Sequence, residues 1–160
     1  MPDETSRSLF PGELTTMPTD QKGYLELVRE AGINPMHMHW SRFIVAQGLE
    51  TVIGCGQLRP HRDGSYELAS LAIAPSSQGR GIGKAIVYTL IELCPADVYL
   101  MCDAKMWTFY ESFGFRVVGA RDLPNEMSNM FRLGRAFAWL ARTLARQPVW
   151  ILGLRRAASC

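Results

Sequence analysis

The sequence predicts an α+β fold on three observations. Short runs rich in Val, Ile, Leu and Tyr, bounded by Gly, Pro or Asp-Gly, have the length and composition of strands. Longer stretches carry apolar residues three and four apart, the period of an amphipathic helix. Between one such strand (Leu68 to Ala74) and one such helix (Ile82 to Leu93) lies the run Gln78-Gly79-Arg80-Gly81-Ile82-Gly83-Lys84, a backbone suited to wrapping a phosphate.

Taken in order, residues 1–12 form a flexible tail, and residues 13–160 form a single domain. Glu13 to Met17 is a short strand. Thr19 to Ala31 is a helix with Thr19 as N-cap, Tyr24, Leu27, Val28 and Ala31 on one face, and Gly32 as its stop. Trp40 to Gln47 and Thr51 to Leu58 are strands joined at Gly48, and Asp63-Gly64 signals the hairpin into the strand Tyr66 to Ala74, which Pro75 ends. The helix from Ile82 places Ile86, Thr89, Leu90 and Leu93 on its apolar side. Val98 to Cys102 is a buried strand, Lys105 to Phe113 a short helix closed by Gly114, and Phe115 to Ala120 a strand. Asn125 to Arg146 carries Met130, Leu133, Phe137, Leu140 and Leu144 as the stripe of a long amphipathic helix; Pro148 stops it, and Val149 to Leu154 is the last strand.

A chain of 160 residues suits one domain and buries roughly 70% of its unfolded surface, so it needs no staple. Cys55, Cys94, Cys102 and Cys160 form no C-x-x-C pair and read as reduced thiols, which points to a cytoplasmic protein. No apolar run approaches the roughly 20 residues of a membrane span, and the polar start lacks the apolar region of a signal peptide. The net charge of +2 is unevenly placed: Met127 to Cys160 holds six arginines and no acid, leaving −4 for the preceding 126 residues.

Which phosphate compound the glycine run holds decides the function. A dinucleotide site is suggested by Gly79-x-Gly81 and by Asp103 at a strand end, 20 residues past Gly83. Against it, Lys84 takes the place of the third glycine, Pro75 to Gln78 separate the strand from the glycines, and the 57 residues after Asp103 are too few for further βαβ units. A Walker loop fails because Lys84 is followed by Ala85 and the glycine spacing differs. Gln78-x-x-Gly81-x-Gly83 instead resembles the Q/R-x-x-G-x-G/A signature of the GNAT superfamily of acyl-CoA-dependent N-acyltransferases. Leu71-Ala72-Ile73-Ala74-Pro75 looks like that family's fourth strand, and Phe109-Tyr110-Glu111-Ser112-Phe113-Gly114-Phe115 like its F-Y-E-x-x-G-F segment.

The resemblance, which covers roughly Glu13 to Leu154, implies an α/β/α-layered fold on a mixed, bent six- to seven-stranded sheet. In it the fourth and fifth strands run parallel and splay to admit pantetheine. It implies acetyl-CoA as co-substrate, with backbone groups of Leu71, Ala72 and Ile73 beside the pantetheine arm and amides of Gln78, Gly79, Arg80, Gly81, Ile82, Gly83 and Lys84 around the pyrophosphate. The acceptor is a primary amine, on a small molecule or a protein, and a homodimer is compatible with this reading.

Acyl transfer from a thioester to an amine needs a neutral nucleophile, because an amine of pKa near 10 is mostly protonated at pH 7. Glu67 is the candidate base; it lies six residues before Ile73, similar in position to the glutamate of the histone acetyltransferase branch. In a regular strand it would share a face with Leu71 about 13 Å away at roughly 3.3 Å per residue, which requires a water relay. A solvated or ion-paired strand-start glutamate is the alternative. Tyr110 is the candidate acid for the departing thiolate, or else an aromatic packed with Phe109 and Phe113, and the Leu71 N–H is a candidate oxyanion donor. His37, His39 and Trp40 belong to a loop that in the family often lines the acceptor site; with His61 the only other histidine, no metal site is expected. Asp103 either approaches the acceptor or caps the short helix, and Glu67, Asp103, Asp122 and Glu126 together suit a cationic acceptor.

The long helix departs from the family pattern, in which the last two strands form a hairpin; here about 28 residues separate them. Arg132, Arg135, Arg142 and Arg146 fall within about 80° of one another, with Trp139 on their side. They form either a solvated face or a docking face for an anionic partner. A CoA-binding module without catalysis is the rival function, and the presence of both Glu67 and Tyr110 argues against it.

Overall fold

The computed structural model describes residues 13–15, 42–48, 51–145 and 151–158, and within 125–145 the side chains of residues 125–134 and 136. The predicted tail 1–12, the helix Thr19 to Ala31, the loop with His37, His39 and Trp40, residues Arg146 and Cys160, and the side chains of Arg135, Trp139 and Arg142 lie outside the described residues.

The strands are β1 (Glu13–Thr15), β2 (Phe43–Gln47), β3 (Val52–Pro60), β4 (Tyr66–Ile73), β5 (Val98–Asp103), β6 (Arg116–Val118) and β7 (Ile151–Arg156), and the helices are α1 (Ile82–Glu92), α2 (Trp107–Glu111) and α3 (Asn125–Ala145). They form a seven-stranded sheet in the order β1-β2-β3-β4-β5-β7-β6. The β1–β2, β2–β3, β5–β7 and β6–β7 ladders are antiparallel and β4–β5 is parallel. This is the mixed α+β sheet that the sequence predicts, and it excludes the doubly wound parallel sheet that a dinucleotide site requires. Among the described residues, no helix is long and apolar enough to cross a membrane.

The chain divides into two compact units, residues 1–59 with 68–93, and residues 60–67 with 94–160. In the first, Phe43, Val45, Val52, Cys55 and Ala72 form a buried cluster with Ala74 against it. Burial pushes the Cys55 thiol up to about 12, opposed by a backbone hydrogen bond from Ala72, so it stays a neutral apolar filler. Helix α1 buries Ile82, Ile86, Val87, Leu90 and Ile91. Leu93, predicted on that face, is 62% exposed, because it sits at the C-cap where the helical register ends.

Glycines of β3 let α1 come close. A Cβ on Gly54 would lie 2.8 Å from Ile73 Cδ1, 3.0 Å from Ile82 Cγ2 and 3.1 Å from Ile86 Cδ1. Gly54→Val should therefore cost about 1–3 kcal/mol by overpacking, at about 2–4 °C of melting temperature per kcal/mol. An unchanged melting curve would show that α1 can be displaced freely.

In the second unit, Tyr99, Leu123, Met127 and Phe131 are buried together, with Met101, Val118, Ala120 and Ile151 against them. This corrects the predicted stripe of α3 at Met130 and Leu133; the side chains of Phe137, Leu140 and Leu144 lie outside the described residues. Met130 and Leu133 are 51% and 67% exposed, whereas Met127 and Phe131 are 1% and 3% exposed. The helix carries two apolar stripes, and at 100° per residue Met127, Phe131 and Gly134 share the second. Gly134 has no side chain to hold β7 away: a Cβ there would lie 3.1 Å from Ile151 Cδ1. Of the predicted basic face, Arg132 is exposed. At the other end of β7, Arg155 Nη2 donates to Asp97 Oδ2 at 2.6 Å and Ala158 N donates to Asp97 Oδ1 at 2.8 Å. These contacts, the Ala158 amide foremost, hold the Asp97 carboxyl below its ordinary range.

Candidate active site

Two parts of the chain carry the chemistry. In the first unit, β4 ends in a 3-10 turn, Pro75–Ser77, where Ser77 N donates to Ala74 O at 2.8 Å. Gln78 Nε2 donates to Ile73 O at 3.2 Å, so its side chain ties the loop back to the strand. Gly79 and Gly81 follow with φ of +74° and +80°, left-handed values that glycine adopts without Cβ strain. Gly81 is the N-cap of α1, and no side chain caps it. Ala85 N donates to Gly81 O at 3.0 Å, and the first-turn amides of Ile82, Gly83 and Lys84 have no i−4 acceptor within the helix.

Gln78, Gly79, Arg80 and Lys84 are exposed and Gly81 and Gly83 half-buried, while the Ile82 side chain is in the core. Uncapped amides at a helix N-terminus, reached through an open glycine backbone and flanked by two cations, fit the pyrophosphate of coenzyme A. Ala72 is buried, and Leu71 and Ile73 are half-buried.

Just before Leu71 the strand is irregular. Ser70 has φ +55°, the only left-handed non-glycine among the described residues. Its Oγ accepts from Nε2 of the fully buried Gln57 at 3.0 Å, and its carbonyl accepts from Cys55 Sγ at 3.6 Å. These contacts offset the cost of placing an L-residue in that region. The pleat of β4 is thus irregular at Ser70, between Glu67 and Leu71. Serine in a strand gives no sequence signal for such a kink.

In the second unit, the parallel ladder pairs Tyr66 with Val98 and Glu67 with Tyr99. Glu67 is 6% exposed, so it is not a solvated strand-start residue. The turn before it, with Gly64 at φ +84° and His61 N donating to Ser65 O at 2.8 Å, folds His61 back beside Glu67. His61 Nε2 lies 3.6 Å from Glu67 Oε2, and His61 Nδ1 lies 2.9 Å from Glu126 Oε2 at the start of α3. The His61–Glu126 contact spans 65 positions of sequence, beyond any local motif.

Tyr110 is 7% exposed, with edge-on ring contacts to Phe109 at 5.0 Å and Phe115 at 5.9 Å. Burial, then the neighbouring Cys102, raises its phenol above the ordinary value, so the proton stays on oxygen. Cys102 is itself pushed up to about 11, by burial and then by Asp103. Asp103 Oδ1 accepts from Lys105 N at 2.9 Å, which is the capping alternative. Among the described residues, no group of three or more His, Cys, Asp or Glu could hold a metal ion.

The first unit offers a phosphate cradle; the second offers a buried carboxylate beside an imidazole, and a neutral buried phenol. Comparison with solved structures places the fold among N-acetyltransferases. N-acetylglutamate synthase from Neisseria gonorrhoeae, complexed with coenzyme A and N-acetyl-glutamate, superposes with a TM-score of 0.72 at 16% identity, covering 93% of this chain and 35% of that one. The chain therefore spans about a third of that relative's length. The ribosomal-protein-S18-alanine N-acetyltransferase from Escherichia coli gives a TM-score of 0.62 at 13% identity, covering 93% and 95% of the two chains. A GNAT-family acetyltransferase from Staphylococcus aureus gives 0.53 at 18%, covering 73% and 68%. At such identities the likeness is one of fold. The sequence model described as the acetyltransferase (GNAT) family matches residues 8–115, a span that includes the glycine loop and ends on Phe115. With that match over more than half its length, the chain belongs to the GNAT family of acetyltransferases.

Proposed function

We propose that the chain is an N-acetyltransferase that moves an acetyl group from acetyl-CoA to a primary amine by direct attack through a tetrahedral intermediate. The observation that carries this reading is the left-handed loop at Gly79 and Gly81, which leads into an uncapped helix N-terminus in a chain of this family. Acetyl-CoA supplies the acyl group as a thioester. Backbone amides from Gln78 to Lys84 bind its pyrophosphate, and Leu71, Ala72 and Ile73 bind its pantetheine arm. Glu67 removes the proton of the attacking amine, the Leu71 N–H donates to the oxyanion, and Tyr110 donates to the departing sulfur.

Its raised pKa suits Tyr110 to a hydrogen-bonding role. A free thiol titrates near 8.5, so complete proton transfer from a phenol is uphill unless the thiolate is also desolvated. The four carboxylates Glu67, Asp103, Asp122 and Glu126 favour a cationic acceptor, although Asp103 is occupied as a cap and Asp122 Oδ2 accepts from Gly119 N at 3.2 Å.

The test is thermal melting with different cofactors. Acetyl-CoA at 100 times its dissociation constant should stabilise the chain by about 2.7 kcal/mol, and NAD should leave it unchanged. Stabilisation by NAD alone would overturn the reading of the loop.

A further inference from the structure

We propose that His61 stores the proton that Glu67 takes from the amine, with Glu126 fixing the imidazole for that task. The inference rests on Glu67 being the base. Its geometry lies wholly within the second unit.

Glu126 is a carboxylate, and a carboxylate only accepts hydrogen bonds. The 2.9 Å contact therefore puts the proton of neutral His61 on Nδ1. Nε2 is left with a bare lone pair, 3.6 Å from Glu67 Oε2 and without a hydrogen-bond partner among the described residues. The His61 side chain is 3% exposed, so this lone pair is shielded from bulk water. An acceptor atom buried without a donor is costly. It gains a donor when Glu67 becomes protonated and the contact closes to about 3 Å.

The proton balance is simple. The attacking amine gives one proton to Glu67. Glu67 passes it to His61 Nε2, leaving a carboxylate beside an imidazolium. The Nδ1–H stays on Glu126, whose negative charge balances the new cation. After the product leaves, the same proton returns through Glu67 to water. An ordinary imidazole is a stronger base than an ordinary carboxylate. Coupling the two makes a stronger base than the carboxylate alone.

Among the described residues, charges that interact with His61 include Glu67 from β4, Glu126 from α3 and Asp63 from its own turn, and Arg62 reaches Glu126. Arg62 Nε lies 3.6 Å from Glu126 Oε1, and Asp63 Oδ1 is engaged by Ser65 N at 3.0 Å and Ser65 Oγ at 2.6 Å. The outer side opens on a pocket of about 230 Å³ lined by His61, Arg62, Asp63, Pro124, Asn125 and Glu126, which gives water access to the Glu126 carboxylate. The hydrogen bond from His61 holds that carboxyl below its ordinary range, which keeps it charged. His61 and Glu126 act through Glu67 and are positioning residues.

The test uses the full chain labelled with ¹⁵N at histidine, with the His61 signals identified by their loss in H61Q. At high pH, His61 should be the Nδ1–H tautomer, and on acidification the second proton should enter at Nε2. E126A, an exposed change that removes the acceptor and spares the core, should shift the tautomer toward Nε2–H. A wild-type Nε2–H tautomer, or a tautomer indifferent to E126A, overturns the proposal.

The kinetic arm uses the amine that gives the fastest thiol release from acetyl-CoA. H61Q and E126A should lower kcat/KM for that amine about tenfold at pH 7, recover as pH rises and the amine deprotonates unaided, and bind acetyl-CoA as wild type does. An equal loss at every pH marks a structural role and overturns the proposal, as do wild-type profiles in both variants. Full activity in E67Q removes Glu67 as base; loss in E67Q with wild-type profiles in the other two removes only the store.

Discussion

Gly81→Val should abolish binding of acetyl-CoA while the chain still melts cooperatively. At φ +80° a β-branched residue clashes with its own backbone, and the chain escapes by turning the Arg80–Gly81 peptide. That rotation re-aims the Gly81 amide and shifts the start of α1, and no capping side chain is present to restore them. The dissociation constant should rise at least about 100-fold if two or three amide–phosphate hydrogen bonds are lost, at about 1.5–3 kcal/mol for each charge-assisted bond. Gly81→Asn is the control, because asparagine visits the left-handed region more readily than other side chains and should retain more affinity than valine. Calorimetric titration reads both variants. Wild-type affinity in Gly81→Val would remove the loop from cofactor binding.

Tyr110→Phe should lower kcat about 100-fold, at the low end of what a positioned proton donor contributes, and leave acetyl-CoA affinity unchanged. The aromatic ring remains, so its edge contacts with Phe109 and Phe115 persist and the fold loses little. The pH dependence has a definite sign. A donor must be protonated, and burial raises the phenol above its ordinary value of 10, so the proton is present below that pH and lost only above it. Wild-type kcat should therefore show no alkaline loss from this group below about pH 10. An inflection near pH 8 that vanishes in Tyr110→Phe would contradict the burial. Equal turnover of the two proteins would remove Tyr110 from the mechanism.

Local punctuation made the geometry of the candidate phosphate loop legible in the sequence. Pro75 ends β4, glycines occupy the left-handed positions 79 and 81, and Ile82 starts the buried face of α1, all within eight residues. The Phe109 to Phe115 segment was legible for the same reason, with Gly114 at φ +84° closing it. Contacts between distant residues were not. His61 meets Glu126 because a hairpin and a helix start converge, and neither residue has a local pattern that marks it.

Ser70 is kinked by its bonds to Gln57 and Cys55, not by its own preference. Helix α3 shows a third limit. Periodicity established a helix, but a second apolar stripe shares it: Met127 and Phe131 are the residues buried, and Gly134 comes close to β7 without a side chain.

Transfer of the acetyl group to an amine is measured by thiol release from acetyl-CoA with parallel detection of acetylated product. The panel spans amino acids, polyamines, and peptides with free α-amino or lysine side-chain groups. Amine-dependent release, matched one for one by an N-acetylated product and lost in Gly81→Val, is the predicted result. Tight binding of acetyl-CoA, with thiol release that no amine on the panel accelerates, would contradict it.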